Sequence, residues 1–379
     1  MKLLRIVSML LVLVTTGPVP GAAAEPVTGQ AASLKDAFAD AFLVGAALNR
    51  EQILGEEPGA LELVVRQFNS LTAENEMKWE KIEPLEGRFD WEVPDALVAF
   101  SEAHHMSLAG HVLVWHQQTP DWVFRNDAGD PASRELLLER MENHISAVVG
   151  RYRGKVEYWE VVNEALNEDG SLRQTPWLTI IGEDYIEKAF EFAHRADPDA
   201  QLYYNDFNLY KPEKRAGAVR LAGNLKQRGL RIDAIGMQAH YGLRQPENWA
   251  DFAGSIEAFA ALGVAVHITE LDIAVLPFPD EQSQGADLAV NHALNARLNP
   301  YVDGLPEAVE RAQITRYTDL FRILLAHSDD VDRVTFWGVD DAQSWKNGWP
   351  MQGRTDYPLL FDRAKQPKRA FFEIINLTD

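Results

Sequence analysis

Eight short apolar runs, each closed by a polar cluster and followed by a segment of helical spacing, recur at 42–48, 68–72, 107–115, 156–162, 201–205, 232–238, 264–269 and 331–339. This βα alternation restricts the chain to an α/β architecture with a parallel sheet. No Pro/Gly/Ser-rich linker divides the runs into halves, so they fit a single closed (β/α)8 TIM barrel better than two open sheets. The spacing predicts a helix over 134–149, with Leu137, Met141, Ile145 and Val148 on one face, Ser133 as its cap and Gly150 as its end. A second helix is predicted over 306–327, where Val309, Tyr317, Leu320, Phe321 and Leu324 form a stripe for packing on the sheet. The stretch 274–306, rich in Pro, Asp, Gln and Asn, reads as an extended βα loop, and in a barrel such loops border the catalytic face.

The absence of Cys from all 379 residues removes disulfides, thiolate metal sites and cysteine nucleophiles. Residues 1–24 read as a secretory signal peptide: Lys2 and Arg5 open it, an apolar core follows, and Ala22, Ala23 and Ala24 precede Glu25. The apolar core is well short of the ~20 residues that span a membrane. The expected mature chain, 25–379, is then one catalytic domain, secreted or periplasmic. Without Lys2 and Arg5, the 36 basic residues set against 57 acidic ones become 34, a formal charge of −23. Such a surface repels nucleic acid and anionic membranes.

In a barrel, polar residues at the C-terminal strand ends converge on one face. Here those ends carry Glu74 and Asn75, then His111, Trp115 and Gln118, then Asn163 and Glu164, Asn205, Gln238 and His240, Glu270 and Asp272, and Trp337. Glu164 and Glu270 end nonadjacent strands. Two carboxylates across a barrel mouth suit glycosidic cleavage, in which one protonates the departing oxygen and the other attacks the anomeric carbon or activates water. Amides suit sugar hydroxyls, and indoles such as Trp115, Trp337 and Trp345 suit the faces of pyranose rings.

The segments 68–79 (FNSLTAENEMKW), 110–116 (GHVLVWH), 159–165 (WEVVNEA) and 268–272 (ITELD) resemble the signature segments of glycoside hydrolase family 10, the endo-β-1,4-xylanases, and the resemblance runs from about Phe42 to Phe372. It implies a retaining endo-xylanase with Glu164 as general acid/base and Glu270 as nucleophile. By the same resemblance Glu74, Asn75 and Lys78 grip the glycone sugar one site beyond the cleavage point, and His111, Trp115 and Gln118 line the reacting sugar. Asn163 matches the amide on that sugar's 2-hydroxyl, and Asn205, Phe207 and Gln238 join the substrate-binding set. His240 matches the imidazole bonded to the nucleophile, with Asp272 orienting it. Trp337 and Trp345 match a roof that crowds a hexose hydroxymethyl and admits a pentose. The implied partners are xylan and xylo-oligosaccharides, acted on by a monomer without a cofactor.

Three positions depart from the family pattern: Phe207 stands where Tyr is common, Glu160 where Asp is common, and Lys346 where Arg is common. Other readings stay open at this level. A retaining barrel β-glucanase or β-mannanase shares the two carboxylates, and a secreted xylan-binding protein shares the cleft without turnover. A catalytic metal is not expected, since no H-E-x-x-H or similar ligand spacing occurs among the ten His.

Overall fold

The strands are β1 (Leu43–Leu48), β2 (Ser70–Ala73), β3 (Ser107–Gly110), β4 (Tyr158–Asn163), β5 (Gln201–Asp206), β6 (Ala234–Met237), β7 (His240–Gly242), β8 (Ala265–Ala274) and β9 (Val331–Phe336) in the computed structural model, which describes residues 33–278 and 297–378. The signal-peptide segment and the middle of the 274–306 loop lie outside those residues. Parallel pairing runs from β1 through β6, passes from β6 to β8 and β9, and returns from β9 to β1. Eight parallel strands therefore close on themselves with helices around them, the expected (β/α)8 barrel. The strands read as near-continuous apolar runs because helices cover one face and the barrel interior the other.

Helix Arg134–Arg151 packs Leu137, Met141, Ile145 and Val148, all 0% exposed, against the core, each such side chain contributing roughly 1.5–3 kcal/mol of burial. Ser133 accepts a hydrogen bond from the Leu136 amide at 3.2 Å, as a cap should. The helix does not stop at Gly150. That glycine faces open space, where a helical Gly is tolerated, and the chain turns left-handed only at Gly154, φ 73°. Helix Glu307–Ala326 buries Tyr317, Leu320, Phe321 and Leu324, while Val309 in its first turn is only half-buried.

Most strand bounds lie within one or two residues of the apolar runs, and three differ by more. β3 ends at Gly110, and residues 111–115 leave the ladder except for a bridge between Val114 and Val162. A Cβ at Gly110 would lie 2.2 Å from the Trp159 ring, so the close approach of β3 and β4 here requires glycine. β9 ends at Phe336 instead of Val339, because the chain turns at Gly338, φ 135°. β8 runs on to Ala274 because the short β7 pairs with its far end, His240 opposite Asp272. That register puts an imidazole and a carboxylate side by side at the barrel mouth.

The barrel interior is partly polar. Arg333, buried, lies 5.1 Å from the Tyr158 ring centre and 5.7 Å from that of Tyr203. Its Nη2 donates to the Tyr203 hydroxyl at 3.4 Å, and that hydroxyl donates to Glu160 Oε2 at 3.3 Å. The column continues to the mouth, where Glu160 Oε2 lies 2.9 Å from His111 Nδ1.

Candidate active site

Glu164 follows the last residue of β4 in the left-handed region, φ 55°, a conformation that costs a non-glycine residue of order 1–3 kcal/mol and is held only by its surroundings. Those surroundings are hydrogen bonds. The Glu164 amide donates to the Asn205 carbonyl at 2.9 Å, and Gln238 Nε2 donates to Glu164 Oε1 at 3.0 Å and to Asn163 Oδ1 at 3.1 Å. Asn205 Nδ2 donates to the same Asn163 oxygen at 3.3 Å and to Glu270 Oε1 at 2.8 Å. Three side-chain amides from β4, β5 and the end of β6 thus join the two carboxylates in one frame. Asn205 fits because a Cβ on neighbouring Gly236 would lie only 2.4 Å from its Oδ1.

The two carboxyls sit in opposite electrostatic settings. Burial pushes Glu164 above the ordinary carboxylate range, the charge of Asp206 adds to that, and the Gln238 hydrogen bond and His116 oppose it weakly. Burial acts on Glu270 in the same sense, but the hydrogen bond from His240 and the positive charges of His240, His111 and Lys78 outweigh it and hold this carboxyl below the ordinary range. One group is set to keep its proton while the other stays ionised.

His240 carries much of that difference. Its Nε2 lies 3.0 Å from Glu270 Oε2 and its Nδ1 2.9 Å from Asp272 Oδ2. Only the imidazolium has an N–H to give on both sides. Burial disfavours that cation, but Asp272 and the two hydrogen bonds win and raise the His240 pKa. Asp272 is wholly buried and also accepts from Trp345 Nε1 at 2.8 Å.

Around this centre lies a cleft of about 310 Å³, at the lower end of the roughly 300–1,000 Å³ of ligand pockets. Glu74, Asn75, Lys78, His111, Trp115, Gln118, Asn163, Glu164, Phe207, Gln238, His240, Glu270, Trp337 and Trp345 all line it. Lys78 donates to Asn75 Oδ1 at 2.9 Å and to Gln118 Oε1 at 2.7 Å, with its ammonium 5.2 Å from the Trp115 ring centre. Trp337 meets His111 edge-on at 5.1 Å. Phe207 backs onto the Lys214 ammonium, 3.4 Å from its ring centre, and Lys214 pairs with Asp206 at 2.8 Å.

Asn205 does not line the cleft: it is 0% exposed behind Glu270, where it also accepts from Thr269 Oγ1 at 2.7 Å. Asp272 likewise lies behind His240. Gln117, Asn208, Gly242, Phe278, Lys346 and Trp349 line the cleft as well. Gln117 and Asn208 belong to polar strand-end clusters and were open to the same reading, whereas Phe278 and Trp349 stand in loops whose sequence has no period. His111, Glu160 and Glu270 bring ligand-type atoms within 4.8 Å of one another, but these are already bonded to each other, to Asn205 and to His240.

The model of the family described as glycosyl hydrolase family 10 matches residues 33–377. Endo-1,4-beta-xylanase A of Xylanibacter ruminicola is 48% identical over 345 residues, covering 91% of this chain and 93% of that protein. An endo-1,4-beta-xylanase of Geobacillus stearothermophilus is 43% identical, over 91% and 98%. The solved structure of a GH10 endoxylanase retrieved from a sugarcane soil metagenome superposes with a TM-score of 0.86 at 42% identity, covering 92% of this chain and 99% of that one.

Proposed function

The chain belongs to glycosyl hydrolase family 10 and is a glycoside hydrolase, and from that premise we propose that it cleaves internal β-1,4 linkages of xylan by a retaining double displacement. Glu164 protonates the departing glycosidic oxygen while Glu270 attacks the anomeric carbon, forming a glycosyl-enzyme. Glu164, now a carboxylate, takes a proton from water as the water oxygen attacks the anomeric carbon and the bond to Glu270 breaks, which frees the sugar, leaves Glu270 a carboxylate and returns the proton to Glu164. The observation that carries this reading is the pair of buried carboxyls in one amide frame with opposed pKa shifts, Glu164 raised and Glu270 lowered. Once the charge of Glu270 is consumed in the covalent bond, one of the influences raising Glu164 disappears, which favours its switch from acid to base.

His240 and Asp272 keep Glu270 ionised and aimed. Asn163 holds the 2-hydroxyl of the reacting sugar, a bond that strengthens as positive charge develops at the anomeric carbon. Glu74, Asn75, Lys78, His111, Trp115, Gln118 and Gln238 hold the glycone side, Phe207 serves the leaving group, and Trp337 and Trp345 form the roof. Asn205 acts from behind, through Glu270. The first 24 residues, read as a signal peptide, support export to the periplasm or medium. Among the described residues no helix is long and apolar enough to cross a membrane.

The roof predicts substrate choice. The kcat/KM for an aryl β-xylobioside should exceed that for the matching aryl β-cellobioside by at least about tenfold, the scale on which a pocket discriminates one extra carbon group. A ratio near or below one would move the assignment to a glucanase, and turnover of neither would favour a binding protein.

A further inference from the structure

Lys346 has no part in the chemistry above. It follows Trp345 in the short turn Trp345–Asn347, lines the cleft, and its side chain is 2% exposed. Its ammonium lies 4.2 Å from the Trp345 ring centre, 4.9 Å from that of Trp349 and 5.4 Å from that of Phe278. Trp345 and Trp349 pack on each other at 4.9 Å, and Phe278 meets Trp349 edge-on at 5.6 Å. One buried cation is therefore held within three aromatic rings from two different loops; burial pushes its pKa down, and the carboxylates of Asp272 and Asp356 offset part of that, while the ring faces add cation–π attraction.

The same ammonium lies 3.7 Å from Asp272 Oδ1. Asp272 holds Trp345 with its other oxygen and, through His240, holds Glu270. Lys346 thus stands where the aromatic wall and the support of the nucleophile meet.

We propose that Lys346 is a positioning residue that determines sugar specificity: its ammonium clamps Trp345, Trp349 and Phe278 into one roof and ties that roof, through Asp272, to the nucleophile. The activity readout rests on the xylanase reading above. Without the cation the two indoles lose their common anchor and their fixed mutual packing loosens, so the wall that crowds a hexose hydroxymethyl gives way. Discrimination then falls, beyond any loss of rate.

The test compares K346M, which keeps the side chain's length without its charge, with K346R, which keeps a charge that also stacks on aromatic faces. The ratio of kcat/KM for aryl β-xylobioside to that for aryl β-cellobioside should fall at least about fivefold in K346M and return to within about twofold of the unmodified enzyme in K346R. A smaller fall in K346M would overturn the proposal, as would equal falls in both variants, which would assign the effect to side-chain volume. Should K346M not fold, K346Q carries the same comparison. Near-ultraviolet circular dichroism reads the Trp345–Trp349 pair without turnover, and the pair's signal should weaken in K346M and persist in K346R. If the unmodified enzyme turns over neither glycoside, the xylanase reading fails and the spectra alone decide, with an unchanged K346M spectrum overturning the clamp.

Discussion

Glu270→Ala is expected to lower kcat on xylan by about 10⁴-fold or more, the scale seen when a covalent nucleophile is removed. Xylan binding should stay within about threefold. The first expectation follows from the absence of a substitute: burial and the charge of Asp206 raise the pKa of the neighbouring carboxyl Glu164, which makes it a poor nucleophile, and Glu160 is engaged with His111. The second follows from how Glu270 is held. Its oxygens bond Asn205 and His240 only from behind and the side, and after truncation Asn205 keeps Asn163, while His240 keeps Asp272. Rate measurement and affinity electrophoresis on soluble xylan check the two parts. Normal turnover in the variant would remove Glu270 from the mechanism.

Glu164→Ala should separate substrates by their leaving groups. On xylan the departing alkoxide needs a proton, and loss of the general acid should cost about 10²–10⁴-fold in kcat/KM. An aryl xylobioside with a strongly acidic phenol needs little protonation, so its kcat/KM should fall far less, while kcat falls because the second step has lost its base. The pH profile should change with it. In the unmodified enzyme the acid limb should report protonation of Glu270, lowered from its ordinary value, and the alkaline limb deprotonation of Glu164, raised from its own. The variant should keep the acid limb on the activated substrate and lose the alkaline one. Equal losses on xylan and on the aryl glycoside would contradict the acid role.

The barrel was legible because a strand buried on both faces must be apolar throughout, so the polar residues ending each run stand out. Glu164, Gln238 and Trp337 could be found in this way and all line the cleft. β7 could not: three residues carry no periodic signal, and His240–Gly242 forms a strand only by pairing with residues 272–274. Asn205 shows the limit of strand-end reasoning, since it looks like its neighbours in sequence yet is buried behind Glu270. Phe278, Lys346 and Trp349 reach the cleft through loop packing, including the bond from Arg354 to the Pro277 carbonyl at 2.9 Å and that from Asn299 to the Gly353 carbonyl at 3.3 Å. Arg333 was hidden inside an apolar run. Only a barrel interior lined by Tyr158 and Tyr203 makes sense of its burial.

The departures from the family pattern have local consequences of the same kind. Glu160, one methylene longer than Asp, reaches His111 and Tyr203 at once. Phe207 lacks a phenol, but its ring rests on the Lys214 ammonium, which also balances Asp206, a charge that raises the Glu164 pKa. One ion pair, Lys214–Asp206, therefore touches the Phe207 ring on one side and acts on the Glu164 carboxyl on the other.

A double displacement through Glu270 fixes the anomeric configuration of the first product. Proton NMR of xylo-oligosaccharide hydrolysis, followed before mutarotation equilibrates the sugars, should show the β-anomer accumulating first, because two inversions at the anomeric carbon restore its configuration. First accumulation of the α-anomer would mean a single displacement by water, and Glu270 would then be a base and not the nucleophile.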